Sequence, residues 1–82
     1  MSDLKIAHKH SSHNKEEILA SDQVGCFYCL QVYKPEDIKE WVDSEGTAIC
    51  PHCHVDAVIG DQSHFPITEE TFLTRMYELW FK

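Results

Sequence analysis

Residues 25–56, "GCFYCLQVYKPEDIKEWVDSEGTAICPHCHVD", hold all four cysteines of the chain. They form two Cys-x-x-Cys pairs, Cys26/Cys29 and Cys50/Cys53, with 20 residues between them. This is the spacing of a four-cysteine metal site. A divalent zinc ion takes four sulfurs in a tetrahedron, with Zn–S near 2.3 Å. A two-residue spacer lets one tight turn present two sulfurs to one ion, while the amides of that turn hydrogen-bond to the thiolates. A second turn supplies the other two sulfurs, and the intervening segment only has to leave and return. Two other chemistries compete for the same cysteines. A disulfide framework goes with export, and the N-terminal stretch "MSDLKIAHKHSSHNKEE" lacks the apolar core of a secretory signal. A thioredoxin-like redox centre needs a longer chain with several strand–helix units and leaves the second pair unexplained. The reading is therefore one structural Zn²⁺ on Cys26, Cys29, Cys50 and Cys53, closed to water and substrate by its four protein ligands.

Working outward, "VGCFYCLQVYK" favours strands through Val24, Phe27, Tyr28, Val32 and Tyr33. "PEDIKEWV" reads as a helix between the two pairs. Pro35 suits the first helical position, Glu36 and Asp37 complement the dipole, and Ile38, Trp41 and Val42 share one face. "DSEG" would end that helix with Gly46 in the left-handed conformation. "TAIC" is a short strand, and "HVDAVIGD" fits either a helical turn or a strand. Asn14, with Glu17 three residues on, predicts a capping box and a helix over residues 15–21. Thr68 predicts the start of a C-terminal helix over 68–81, in which seven of the ten residues from Phe72 to Phe81 are apolar. The domain organisation expected is a flexible N-terminal segment, residues 1–13, followed by a single domain over 14–82 that contains a zinc module, 24–60.

At 82 residues the chain forms one small core, and small cores are usually stapled by a disulfide, a metal or a partner. The net charge is −7, with 14 acids against 7 bases. A divalent ion on four thiolates takes the formal count to about −9. Lys5, Lys9, Lys15, Lys34, Lys39, Arg75 and Lys82 are scattered along the chain, which argues against non-specific nucleic-acid binding. An acidic surface is better matched to a basic protein surface. No stretch approaches the roughly 18 apolar residues of a membrane span. The expected compartment is the cytoplasm, where thiols stay reduced.

The "CFYC" knuckle followed by "TAICPHC" resembles treble-clef and zinc-ribbon-like zinc fingers. In treble clefs the second ligand pair opens a helix, and in ribbons it sits on another hairpin. Residues 24–81 also resemble small uncharacterised bacterial and phage cytoplasmic proteins, through "CFYC", a Trp-bearing helix, "TAICP-x-C", "D-x-VI" and a Pro-initiated aromatic C-terminal helix. That resemblance supports zinc; in a phage or mobile element, an acidic protein of this size is expected to be an inhibitor or adaptor of a host protein. "HVD", His54 to Asp56, invites comparison with HNH nucleases, where an acidic residue directly precedes the general-base His. Here Ala57 follows Asp56, and the one Asn in the chain, Asn14, lies upstream. No catalytic residue is assigned. His8, His10 and His13 are a candidate second metal cluster, set against a solvated segment with incidental imidazoles.

The expected fold is α+β: a zinc-stapled, treble-clef-like domain with short hairpins, a helix between the knuckles and an amphipathic C-terminal helix. The expected function is a non-enzymatic protein-interaction module, with Trp41, Tyr77, Trp80 and Phe81 as interface candidates. Homodimerisation through the C-terminal helix is the variant of that reading. The alternatives are a zinc finger that binds or mimics nucleic acid, for which clustered Asp43, Glu45 and Asp61 would be the mimic's signature, and a degenerate HNH-like nuclease.

Overall fold

The computed structural model describes residues 2–82. In chain order the elements are α1 (Ser2–Lys9), α2 (Lys15–Ala20), β1 (Val24–Cys26), β2 (Val32–Tyr33), β3 (Glu40–Val42), β4 (Thr47–Ile49), β5 (Val58–Gly60) and α3 (Glu70–Trp80). Single 3₁₀ turns lie at Pro35–Asp37 and Asp61–Ser63. The strands form an antiparallel three-stranded sheet, β2-β1-β5, and a separate antiparallel hairpin, β3-β4. The fold is α+β, with short helices and strands around a small core.

The three-stranded sheet is buried along β1 and β5. Val24, Cys26, Val58 and Ile59 are fully enclosed there. Gly25 is required because a Cβ at this position would stand 2.7 Å from the Ile67 carbonyl oxygen. Gly60 is required because a Cβ would collide with the Ser21 hydroxyl. From α3, Phe72, Leu73 and Met76 enter the core, on the i, i+1, i+4 face that the apolar rows predict.

Three elements differ from expectation. The first lies between the cysteine pairs, where "PEDIKEWV" makes one 3₁₀ turn and then strand β3 in place of a helix. Pro35 and the Asp37 carboxylate, which accepts the Lys34 amide at 3.3 Å, do start a turn. A helix of two turns is marginal in water without strong packing. Strand β4, by contrast, has wholly buried side chains and unpaired backbone that needs a ladder. Pairing Glu40 with Ile49, Trp41 with Ala48 and Val42 with Thr47 supplies it. As a result "DSEG" is a hairpin loop. Asp43, Ser44 and Glu45 take the positive φ values of 56°, 61° and 67°, while Gly46 does not.

The second difference is N-terminal. Where a flexible lead-in is expected over residues 1–13, Ser2–Lys9 form helix α1 with Ala7 fully buried, packed against α3. Met1 lies outside the described residues. The third is the helix that a treble clef would open at the second cysteine pair; of residues 54–59, which fit either a helical turn or a strand, Val58 and Ile59 lie in β5. Val58 and Ile59 are β-branched and pair with β1, and no helix follows the second cysteine pair. The treble-clef expectation of a helix opened by Cys50 and Cys53 is not met.

Helix α2 occurs nearly where expected, but not for the expected reason. Asn14 makes no side-chain cap. Its amide donates at 2.8 Å to the carbonyls of His10 and Val58, and its oxygen accepts the Ala48 amide at 3.2 Å. This buried side chain therefore joins β4 of the hairpin to β5 of the sheet. Glu17 turns back to His10 Nδ1 at 3.0 Å instead of completing a capping box. Helix α3 begins at Glu70, with Glu69 at its N-cap position and no side-chain cap from Thr68.

Candidate metal centre

Cys26 ends β1, and Cys29 follows in the turn toward β2. Cys50 follows β4, and Cys53 lies in the turn toward β5. The two turns are built alike. The Leu30 amide donates to the Cys26 carbonyl at 2.9 Å, and the His54 amide donates to the Cys50 carbonyl at 2.9 Å. The Cys26 amide reaches Gln31 O at 3.0 Å, and the Cys50 amide reaches Val55 O at 3.1 Å. Leu30 and His54, each four residues after the first cysteine, have φ of 65° and 64°. The Tyr28 amide donates to Cys26 Sγ and the His52 amide to Cys50 Sγ, both at 3.4 Å. The pairs are thus one motif used twice.

The turns bring the four sulfurs within 4.8 Å of one another. Cys26 Sγ lies 3.5 Å from Cys53 Sγ, and Cys29 Sγ lies 3.6 Å from Cys50 Sγ. The edge of a tetrahedron with metal–sulfur bonds near 2.3 Å is about 3.8 Å. The donor set, all sulfur and drawn together within 4.8 Å, fits one metal ion of the thiolate-seeking class. The predicted ligands converge as a set, and among the described residues they are the one such group.

The electrostatics of the metal-free cluster are uneven. Burial pushes the Cys26 thiol far up, against the backbone N–H groups of Cys29 and Tyr28. Burial also drives Cys53 up to about 11. Burial acts the same way on Cys50, but the Tyr33 hydroxyl and the amides of Cys53 and His52 outweigh it and bring that thiol down to about 7. Burial and the adjacent Cys50 hold the Tyr33 hydroxyl well above its ordinary range. The Tyr33 oxygen is buried and has no partner in good hydrogen-bond geometry. A cation at the sulfurs would favour all four thiolates at once.

The candidate histidines do not converge. His8 stacks on Trp80 with ring centroids 4.0 Å apart, His10 bonds Glu17, and the His13 amide donates to Thr47 Oγ1 at 2.8 Å. His54 is exposed, with Nδ1 3.7 Å from Glu40, and Asp56 is exposed on the turn before β5.

Of the interface candidates, Tyr77 and Phe81 come together. Tyr77 and Phe81 pack at 5.9 Å, and Trp80 reaches His8 on α1. Tyr28 of the first knuckle completes the group, 4.9 Å from Phe81 and 5.7 Å from Tyr77. Tyr28, Trp80 and Phe81 remain 42%, 37% and 40% exposed. Trp41 lies elsewhere, half-buried in the hairpin with Lys15 Nζ 5.3 Å from its ring centre. A knuckle side chain such as Tyr28 carries no periodicity in the sequence to show which way it faces.

No helix among the described residues is long and apolar enough to cross a membrane. Comparison of the chain with protein-family models, with curated proteins and with solved structures gives no match.

Proposed function

We propose that this chain is a non-enzymatic interaction module whose single zinc ion is structural and whose aromatic surface, Tyr28, Tyr77, Trp80 and Phe81, meets a partner protein. The observation that carries the reading is the joint placement of a closed four-sulfur cluster and an exposed aromatic group on the same knuckle. Cys26 and Cys29 bracket Phe27 and Tyr28, so metal ligation at this turn also sets one wall of the surface. Four sulfurs leave a zinc ion no open position, which suits a staple and not a catalyst. Clustered exposed aromatics are the usual anchors of protein interfaces. At the level of fold, each cysteine pair is entered from a strand, and the second leads into β5. That arrangement favours a ribbon-like zinc finger over a treble clef. An acidic module of this size suits an inhibitor or adaptor of a host protein, a role that rests on its size and charge.

The test has two readouts. Native mass spectrometry of the purified chain should find about one zinc per molecule, in line with a single four-sulfur site. A crosslinked partner captured by the wild-type chain should be lost from the double variant Tyr77→Ala, Phe81→Ala while zinc content stays the same. Equal capture by both chains would sink the interface assignment. Sedimentation of the isolated chain separates self-association from capture of another protein.

A further inference from the structure

Two sulfur–sulfur pairs of the cluster stand in hydrogen-bond geometry, Cys26 Sγ with Cys53 Sγ at 3.5 Å and Cys29 Sγ with Cys50 Sγ at 3.6 Å. Both cross from one knuckle to the other, over 27 and 21 residues of chain. Within each knuckle, the first sulfur is turned toward its own backbone, where it accepts the amide two residues on. The two crossing pairs are also alike in their surroundings. Cys26 and Cys50 are fully enclosed, whereas Cys53 and Cys29 are half-buried. Each crossing pair therefore joins a residue that solvent reaches to one that it does not.

Oxidation of cysteine begins where a small oxidant can reach the sulfur, and a neighbouring cysteine then resolves the product to a disulfide. A disulfide bond is about 2.05 Å long, so each crossing pair has to close by only about 1.5 Å. Chain entropy favours the same pairs, because a bond across 27 or 21 residues restricts the unfolded chain more than one within Cys-x-x-Cys. We propose that a peroxide converts the cluster from a metal staple into a disulfide staple, with the bonds Cys26–Cys53 and Cys29–Cys50 in place of the metal. In each pair the half-buried thiolate attacks a peroxide oxygen, the O–O bond breaks and hydroxide leaves, so that sulfur is oxidised to sulfenic acid and the peroxide is reduced. The enclosed thiolate then attacks that sulfur, the S–O bond breaks and a second hydroxide leaves. Two protons from solvent turn the hydroxides into water. Two peroxides thus form both bonds, and no thiolate remains to hold the metal. The inference rests on the metal-site reading above. Since each bond ties one knuckle to the other, the turn that carries Tyr28 stays closed in both states.

The experiment treats the full zinc-loaded chain with hydrogen peroxide, blocks any remaining thiols and digests the product with trypsin. Lys39 lies between the two cysteine pairs, so cleavage there separates residues 16–39 from residues 40–75. Mass spectrometry before reduction should find these two peptides joined, with fragments that pair Cys26 with Cys53 and Cys29 with Cys50. About one zinc per molecule should be released. The oxidised chain should unfold cooperatively with chelator present and lose that cooperativity on reduction. Oxidation of the metal-free chain in denaturant, where the knuckles no longer meet, should give bonds within each Cys-x-x-Cys instead. Equal joining in denaturant overturns the role of the fold in choosing the partners. Two separate peptides with internal disulfides, or sulfinic acids without joining, overturn the pairing while leaving the metal site standing. No zinc in the untreated chain overturns the metal reading, and the exchange with it.

Discussion

At the scale of single residues, the two knuckles show how backbone geometry and sulfur chemistry depend on each other. A positive φ is uncommon for residues other than glycine, and it is least tolerable for β-branched ones. Leu30 and His54 both adopt it because the turn must fold back for its amides to reach the cysteine carbonyl and sulfur. His54 is exposed, so its role can be tested without disturbing the core. His54→Val should lower stability by about 1–2 kcal/mol, whereas His54→Gly should stay within about 0.5 kcal/mol because relief of strain offsets the freer unfolded chain. Denaturant titration of the zinc-loaded chain measures both. Equal effects of Val and Gly would remove backbone strain as the reason. The cysteines set a dependence on pH. Burial raises the Cys26 and Cys53 thiols and so favours their protonated form. Metal binding requires thiolates and displaces those protons. Zinc affinity should therefore fall as pH falls, about tenfold per pH unit for each proton displaced. Chelator competition between about pH 6 and about pH 8 reads that slope, and a flat profile would rule out thiolate ligation.

At the scale of elements, Asn14 carries more than its place before a short helix suggests. It satisfies the carbonyls of His10 and Val58 and the amide of Ala48, and so ties the turn after α1, the sheet and the hairpin into one body. Asn14→Leu should cost about 2–4 kcal/mol, because two buried backbone groups on separate strands lose their partner together. Thermal unfolding of the zinc-loaded variant checks this, and a loss under about 0.5 kcal/mol would put Asn14 among ordinary surface polar residues. The sequence pattern "SHNKEE" reads as a cap, and a cap is a local device. The bonds that Asn14 makes reach 34 and 44 residues away, where no local pattern can register them. The same limit explains "PEDIKEWV". Its i, i+3, i+4 spacing is real, but Trp41 and Val42 also suit a strand, and the need of buried β4 for a ladder partner decided between them.

At the scale of the whole molecule, the metal is expected to hold the fold together. The core is small, and two of its fully enclosed side chains, Cys26 and Cys50, belong to the four-sulfur cluster. Binding free energy at structural four-cysteine sites is on the order of 10 kcal/mol and becomes folding free energy. Chelation should therefore abolish cooperative unfolding and disperse the aromatic group, because Tyr28 is held by the first knuckle. Circular dichroism with and without chelator measures the first effect, and the fluorescence of Trp80 in a Trp41→Phe variant measures the second. A chelated chain that still unfolds cooperatively at the same temperature would defeat the staple. Cys50→Ser should match chelation, since three sulfurs do not close the tetrahedron.

Local chemistry was enough to specify the clustering of the four cysteines, the apolar face of α3 and the β character around both cysteine pairs. Ligand spacing, helical periodicity and β-branching all act within a few residues, so the linear order of the chain expresses them directly. The tertiary structure decided what lies between the knuckles, the helical state of the N-terminus, the strand after the second pair and the neighbours of Tyr28, Tyr33 and Asn14. Each of those outcomes depends on a partner far along the chain: β4 for β3, α3 for α1, β1 for β5, and the opposite knuckle for Tyr33. Burial and backbone hydrogen bonding were satisfied jointly by segments brought side by side, and at those positions they prevailed over the local preference that the sequence displays.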